Sequence, residues 1–230
     1  MASVLITGAN KGIGLELVKL YAGASDRVYA CCRNPAEATA LQQLAAVRDI
    51  VVCEVRVSDG DSVAALARTL SGQSIDILIN NAGTSGPQQG QQTAYVMDFD
   101  GWAETFAVNT MAPVRVMQAL LANLKAGTNP KIMTISSQMG ALSLDMPFSY
   151  AYCTSKTAVN KFMRLAATEL SKDGISVGLI HPGWVKTDMG GSTADISPED
   201  SARGIVNVIA QLTLENTGAF WKWNGEPHGW

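Results

Sequence analysis

The sequence predicts one α/β domain, in which a doubly wound, mostly parallel sheet of seven strands is flanked by helices. The main observation is that short apolar segments alternate with longer segments of helical periodicity. Most of the short segments are apolar almost throughout, as in strands covered on both faces. With 230 residues, 47% of them hydrophobic, the chain suffices for one such domain with a large core, which spans 1–230.

The short apolar segments predict seven strands. They lie at residues 4–7, 27–32, 50–55, 75–80, 131–136, 175–181 and 219–223. The intervening segments predict helices at residues 12–22, 36–47, 61–70, 99–125, 152–171 and 198–212. Asp59 and Ser197 are typical helix starts, and Gly72, Gly127 and Gly174 are typical helix ends. Residues 84–98 are rich in glycine and glutamine and predict a solvated surface loop.

Charge and cysteine content narrow the class of protein. A formal net charge of −3, with no block of basic residues, gives no reason to expect a nucleic-acid partner. The apolar run before the first glycines is too short for a signal-peptide core, and no later segment is expected to span a membrane. Four cysteines, at positions 31, 32, 53 and 153, lack metal-ligand spacing and are expected to be reduced. We therefore expect a cytoplasmic protein without a metal site.

Three glycines, Gly8, Gly12 and Gly14, follow the first predicted strand and open the first predicted helix. Glycine permits positive φ and close approach of a ligand, and the N–H groups of a helix start attract anions. The glycine spacing, G-x-x-x-G-x-G, differs from the usual dinucleotide-binding pattern G-x-G-x-x-G. The turn also lacks the G-K-[ST] sequence that ends a nucleotide-hydrolysing P-loop. The turn therefore favours a phosphate-bearing cofactor, although a tight strand-to-helix bend can also need glycine for packing alone.

Six motifs occur in a characteristic order along the chain. They are TGANKGIG, NNAG, VNTMAP around Asn109, ISSQMG around Ser137, YCTSK from Tyr152 to Lys156, and HPGWVKT from His181 to Thr187. On these motifs the sequence resembles the short-chain dehydrogenase/reductase family over essentially its whole length, and it is most similar to the C-factor and sniffer-like carbonyl reductase branch. The resemblance implies a Rossmann-type domain that binds a nicotinamide dinucleotide.

The resemblance also implies which residues line the cofactor. They are Gly8, Asn10, Lys11, Gly12, Ile13, Gly14, Arg33, Val57, Asn81, Ala82, Gly83, Tyr152, Lys156, Pro182, Gly183, Val185 and Thr187. An acidic residue after the second predicted strand would bind a free ribose 2′-hydroxyl. This chain instead has Arg33 at that position and Lys11 in the glycine turn, and such cations bind a 2′-phosphate. These cations favour NADP(H), unless Arg33 is simply a solvent-facing charge. Arg56 and Val57 stand where many relatives have an aspartate and an aliphatic residue for the adenine.

Tyr152 and Lys156 are four residues apart at the start of a predicted helix, so both face one side. A free tyrosine has a pKa of about 10, and a nearby ammonium is expected to lower it. The resemblance implies that Tyr152 donates a proton to a carbonyl oxygen, that Ser137 polarises that oxygen, and that Asn109 supports a water chain to Lys156. Ser136 is the neighbour that could be mistaken for Ser137.

The substrate pocket is expected to be apolar and aromatic, with Phe148, Trp184 and Met189 in its wall. Further candidates come from the loop before Tyr152 and from the residues after the fourth predicted strand: Leu142, Asp145, Met146 and Tyr95. Such a lining suits a hydrophobic aldehyde or ketone. The sequence therefore predicts an NADPH-dependent carbonyl reductase; the alternative is a dinucleotide-binding signalling or sensor protein of C-factor type with incidental catalysis.

The two long predicted helices, 99–125 and 152–171, carry apolar residues on more faces than one sheet can cover. Examples of such apolar residues are Met111 and Val114 on the first helix and Phe162 and Met163 on the second. We therefore expect a homodimer or homotetramer assembled through these helices.

Overall fold

A computed structural model describes residues 1–145 and 148–230 and contains one seven-stranded sheet in the order β3-β2-β1-β4-β5-β6-β7. Every strand pairing among the described residues is parallel. The strands are β1 Ser3–Thr7, β2 Arg27–Cys32, β3 Ile50–Glu54, β4 Ile77–Asn80, β5 Lys131–Ile135, β6 Ser176–His181 and β7 Phe220–Lys222. The predicted fold class is confirmed.

Eight α-helices of the described residues cover both faces of the sheet. They are α1 Gly12–Gly23, α2 Thr39–Ala45, α3 Gly60–Thr69, α4 Phe99–Phe106, α5 Ala112–Ala119, α6 Leu121–Lys125, α7 Tyr150–Leu170 and α8 Pro198–Gln211. Successive residues of β1 point to opposite faces. Leu5 packs in the core that contains α3, α5 and α7, whereas Val4 and Ile6 pack in the core that contains α1 and α8.

The helix predicted over 99–125 is wrong as one continuous helix, because Leu120, with φ −105° and ψ 11°, separates α5 from α6. The part before Leu120 is also irregular. Between α4 and α5 the chain makes a π-helical turn, Ala107–Met111. Pro113 follows at the start of α5, where it has no N–H to donate and its ring would crowd the carbonyl of the residue four positions earlier, Asn109. A wider turn relieves that conflict, and such turns are frequent at functional sites.

The expectation of a fully solvated loop over residues 84–98 is wrong at Gln92. This side chain is buried, and its Oε1 atom accepts a hydrogen bond from the Ala151 N–H at 3.0 Å. Gln89 also reaches α7, because its Nε2 atom donates to the Ser149 hydroxyl at 2.8 Å. Two glutamines of the loop therefore contact the start of the helix that carries Tyr152.

The order of the strands places one group of loops together. The sheet order reverses direction at β1, which has β2 on one side and β4 on the other. Loops that leave the carboxyl ends of β1, β4, β5 and β6 therefore share one edge, and this is where ligands bind in sheets of this type. Within the described ranges, no helix has the length and apolar character needed to cross a membrane.

Gly204 in α8 provides a test of how closely the last segment packs on this helix. A Cβ atom there would lie 2.2 Å from the Trp223 carbonyl oxygen. Alanine normally stabilises a helix interior by about 1 kcal/mol relative to glycine, but we expect Gly204→Ala to lower the melting temperature, measured by circular dichroism. Gly23→Ala in α1, where a Cβ meets nothing within 4 Å, is the control and should not lower it. A Gly204→Ala variant as stable as the parent would contradict the packing.

Candidate functional site

The glycine turn after β1 has a shape that only glycine allows. Gly8 and Gly12 have positive φ values, +66° and +53°. A Cβ atom on Gly14 would lie 2.2 Å from the Gly8 carbonyl oxygen, so the turn folds directly onto the first turn of α1. The residue before α1, Lys11, makes no side-chain capping bond to the helix start. The backbone here therefore fits a phosphate group that approaches free N–H groups.

The turn after β4 holds the glycine turn in place. The Asn81 Nδ2 atom donates to the carbonyl oxygens of Thr7 and Gly8, at 2.9 and 3.0 Å. In return, the Thr7 hydroxyl accepts from the backbone N–H groups of Asn81 and Ala82, at 3.0 and 3.1 Å. The Asn81 side chain was predicted to border the cofactor, and in this structure it fixes the backbone that the cofactor would contact.

The segment after β6 makes a compact turn at the same edge. Gly183 has a φ of +87°, and a Cβ atom there would lie 2.2 Å from the Cδ1 atom of Ile196. The Pro182 carbonyl accepts from the Ser201 hydroxyl of α8 at 2.7 Å. Val185 is buried and pairs with Ile196 in an isolated parallel bridge. The turn is thus fixed from both sides before the chain reaches Thr187.

Residues 187–190 bring this segment against the glycine turn. The Thr187 Cγ2 atom lies 3.1 Å from the place that a Cβ atom on Gly12 would occupy. The Thr187 hydroxyl accepts from the Gly190 N–H at 3.2 Å, and the Trp184 indole donates to the Gly190 carbonyl at 2.8 Å. The predicted nicotinamide segment and the predicted phosphate turn are therefore direct neighbours.

Two exposed cationic side chains, Lys11 and Arg33, follow β1 and β2 at the carboxyl edge of the sheet. Asn10, next to Lys11 in the chain, is also exposed. The Lys11 ammonium lies 2.7 Å from the Asp188 carboxylate, and its hydrogen bond lowers the pKa of that carboxyl. The Val57 carbonyl accepts from the Arg115 guanidinium of α5 at 3.2 Å. Sequence reasoning missed Arg115, because nothing in its helical context indicates that it reaches this loop.

The two serines after β5 have different partners. The Ser136 hydroxyl is buried and donates to the Oδ1 atom of Asn160 in α7. The Ser137 side chain instead lies beside Tyr152, where it acts to lower the pKa of the phenol, and its hydroxyl accepts from the Met139 N–H at 3.1 Å. Of the two serines, Ser137 is thus the one beside the phenol.

Lys156 is buried behind Tyr152, with its Nζ atom 5.7 Å from the centre of the tyrosine ring. The ammonium donates to the Ile135 carbonyl at 2.8 Å, and burial lowers its pKa to about 8. Burial also raises the pKa of Tyr152 to about 12, although the neighbouring Ser137 hydroxyl partly opposes this. The expectation that Lys156 lowers the Tyr152 pKa is therefore wrong for the protein alone, because desolvation of the phenolate dominates.

Asn109 lies in the π-helical turn, and both ends of its side-chain amide have hydrogen-bond partners. Its Oδ1 atom accepts from the Thr84 N–H at 2.9 Å, and its Nδ2 atom donates to the Thr84 carbonyl and the Ser155 hydroxyl, at 2.9 and 3.0 Å. A Cβ atom on Gly83 would lie 3.3 Å from Asn109 Oδ1 and 3.8 Å from Lys156 Nζ. Asn109 and Lys156 thus face one small space beside Gly83, and the water chain stays a prediction.

The predicted pocket residues lie at the same edge as Tyr152 and are partly open to solvent. Trp184 and Met189 follow β6, and Phe148 precedes α7. Leu142, Asp145 and Tyr95 are exposed. Met146, also expected in the pocket, lies outside the described residues. Apolar side chains at this edge suit a substrate with an apolar body.

A family model described as short chain dehydrogenase matches residues 2–197 of the chain. The chain belongs to the short-chain dehydrogenase family. The resemblance inferred from the six motifs is thus confirmed, and the protein is an oxidoreductase. Of the residues predicted to line the cofactor, Ala82 and Gly83 lie in the turn after β4, and Ile13 is the second residue of α1.

Solved structures of relatives share the whole fold. An NADPH-bound carbonyl reductase from chicken fatty liver is 33% identical, with a TM-score of 0.92 and coverage of 100% of this chain and 99% of that one. The carbonyl reductase Sniffer of Drosophila melanogaster is 30% identical, also with a TM-score of 0.92, and both chains are covered completely. Among curated proteins, C-signal of Myxococcus xanthus is 38% identical over 157 residues, which is 68% of this chain and 93% of that protein.

Proposed function

We propose that this protein reduces an aldehyde or ketone reversibly to an alcohol, with NADPH as the reductant and Tyr152 as the proton donor. The observation that carries the proposal is the Ser137 side chain beside the Tyr152 phenol, whose pKa it acts to lower, with the buried Lys156 ammonium behind that ring. Two hydroxyls placed together at the carboxyl edge suit a substrate oxygen that gains negative charge. The carbonyl reductases among the structural relatives support the same class of substrate.

The cofactor proposal rests on the shape and charge of the cleft. The first N–H groups of α1, which have no side-chain cap, suit a pyrophosphate, and the exposed Arg33 suits a ribose phosphate, since a guanidinium can bind two phosphate oxygens. Lys11, which is part of the glycine turn, adds positive charge there if its ion pair with Asp188 is replaced by one with the phosphate. When bound, NADPH supplies the hydride that the reduction requires. NADP-bound relatives support this choice over NAD.

The chain's own residues supply and hold the proton. With a pKa of about 12, the Tyr152 phenol stays protonated at neutral pH and is ready to donate to the substrate oxygen. Ser137 would donate a second hydrogen bond to that oxygen. The Lys156 ammonium would stabilise the phenolate that forms, because charges interact strongly in a site removed from water. Asn109 keeps the wall beside Lys156 in place through Thr84 and Ser155.

A signalling or sensor role is the second candidate. The similarity to C-signal favours it. In this alternative the chain binds the dinucleotide and catalysis is incidental. The complete set of Asn109, Ser137, Tyr152 and Lys156 favours the reductase, since a sensor has no need of a proton donor. We also propose a reducing compartment such as the cytoplasm, because the four cysteines are free thiols.

The first test of the reductase proposal is NADPH oxidation, followed by absorbance, with a panel of aldehydes, ketones and diketones. We expect turnover of apolar carbonyls by the parent protein and a loss of at least about 100-fold in Tyr152→Phe, since the phenol proton is removed. NADPH should still bind to the variant, as checked by fluorescence. Binding of NADPH by the parent without turnover of any carbonyl would favour the sensor role, and preference for NADH would contradict the part given to Arg33.

The second prediction concerns pH. Below about pH 8 Lys156 carries its charge and Tyr152 carries its proton, so the rate of reduction should be constant there and should fall as pH rises further. The fall in rate is assigned to deprotonation of Lys156, because Tyr152 keeps its proton to a much higher pH. Unfolding does not explain the fall: a buried lysine with a lowered pKa makes folding more favourable as pH rises through this window. A reduction rate that increases between pH 7 and 9 would contradict the assignment.

We propose in addition that two copies of the chain associate through α4–α5 and α7. Met111, Phe162 and Leu165 on these elements are exposed apolar side chains, and Leu165 is 57% exposed. Leu165→Glu should therefore shift the protein to monomers in analytical ultracentrifugation. Leu214→Glu, an exposed leucine between α8 and β7, is the matched control and should leave the oligomer intact. A parent protein that sediments as a monomer would disprove the interface.

A further inference from the structure

The start of α7 is held by a side chain that lies 59 residues away in sequence. The residue before the helix, Ser149, has a left-handed backbone (φ +53°) and makes no side-chain capping bond. The first N–H groups of a helix have no partner within it, and a preceding side chain usually supplies one. Here the Oε1 atom of Gln92 accepts the hydrogen bond from Ala151, the second residue of α7.

Both ends of the Gln92 amide have partners, and this fixes its orientation. The Nε2 atom donates to the Pro87 carbonyl, which can only accept, while the Ala151 N–H can only donate. The amide therefore cannot be turned round without breaking both bonds. Gln92 is 1% exposed, so water cannot replace either partner. A second glutamine of the loop, Gln89, contacts Ser149 but is exposed.

The loop that carries Gln92 is also tied to Asn109. It begins at Thr84, whose N–H and carbonyl both bind the Asn109 side chain. It then passes Gly86, where a Cβ atom would lie 2.8 Å from the Thr105 hydroxyl and 3.4 Å from the Ala151 Cβ atom. The loop thus packs between α4 and the first turn of α7. Its first residue, Thr84, contacts Asn109, and Gln92 contacts the helix that carries Tyr152.

We propose that Gln92 is a positioning residue for Tyr152. By holding the Ala151 peptide, it sets where the next residue leaves the helix and so keeps the Tyr152 phenol beside Ser137. Gln92 contacts neither substrate nor cofactor, and it acts only through the first turn of α7. The inference rests on the proposed function, in that Tyr152 is taken to donate the proton.

Gln92→Met tests this in the full-length protein, with Gln91→Met as the matched control. Gln91 is the adjacent glutamine, and its side chain is exposed. We expect kcat of Gln92→Met to fall at least about tenfold, since small displacements of a reacting group are costly, while the dissociation constant of NADPH stays unchanged. Gln91→Met should match the parent in both. A Gln92→Met variant that keeps the parent kcat would overturn the proposal.

Gln92→Glu supplies a rescue that depends on pH. A protonated carboxyl offers one donor and one acceptor, as the amide does, whereas the ionised form places a negative charge against the Pro87 carbonyl. Its kcat should therefore approach that of the parent at low pH and decline as the carboxyl ionises, in a range where the parent is constant. Melting temperatures, measured at each pH, establish that the assayed protein is folded. A Gln92→Glu profile parallel to that of the parent would count against the proposal.

Hydrogen–deuterium exchange provides a readout that needs no turnover. In Gln92→Met the amides in the first turn of α7 should exchange faster, while those near the end of the helix keep their rates. Unchanged exchange in the first turn would overturn the proposal. If the parent protein reduces no carbonyl, the reductase proposal fails by itself, and the exchange rates still decide whether Gln92 holds the start of α7.

Discussion

The arrangement of the site depends on one buried charge, the ammonium of Lys156, and on its hydrogen bond to the Ile135 carbonyl at 2.8 Å. Burying an ammonium is unfavourable unless it has hydrogen-bond partners. This bond therefore fixes which part of α7 lies against the carboxyl end of β5. Tyr152 is one helical turn before Lys156, and Ser137 is two residues beyond Ile135, so the same contact brings the phenol and the serine together.

The neighbouring contacts keep that crossing close. Asn160, one turn beyond Lys156, accepts from Ser136 and donates to the Gly140 carbonyl at 3.2 Å. Gly140 has no room for a side chain, because a Cβ atom would lie 2.9 Å from the backbone of Lys156. The short segment that carries Ser137 is thereby held against α7 at both ends. In the resulting polar site, nearly every side chain is held by a hydrogen-bond partner that has no proposed part in the reaction.

Much of this could be predicted from the sequence, since most strands are apolar almost throughout and the predicted and observed strand bounds differ by two residues at most. The π-helical turn was missed, although Pro113 was the signal for it. Burial of Gln92 could not be predicted, because its partner Ala151 is far away in sequence and glutamine in a polar loop indicates exposure. The spacing of Tyr152 and Lys156 predicted their shared face, but only the fold shows that desolvation governs both pKa values.

The central claim is that the Tyr152 phenol delivers a proton to the substrate oxygen from a site that burial keeps protonated. The most direct measurement is the single-turnover rate of carbonyl reduction in H₂O and in D₂O, with excess NADPH and at a pH below the pKa of Lys156. If Tyr152 delivers the proton, the reaction is slower in D₂O, and Tyr152→Phe retains a residual rate that does not differ between the two solvents. Equal rates of the parent protein in the two solvents would contradict the claim.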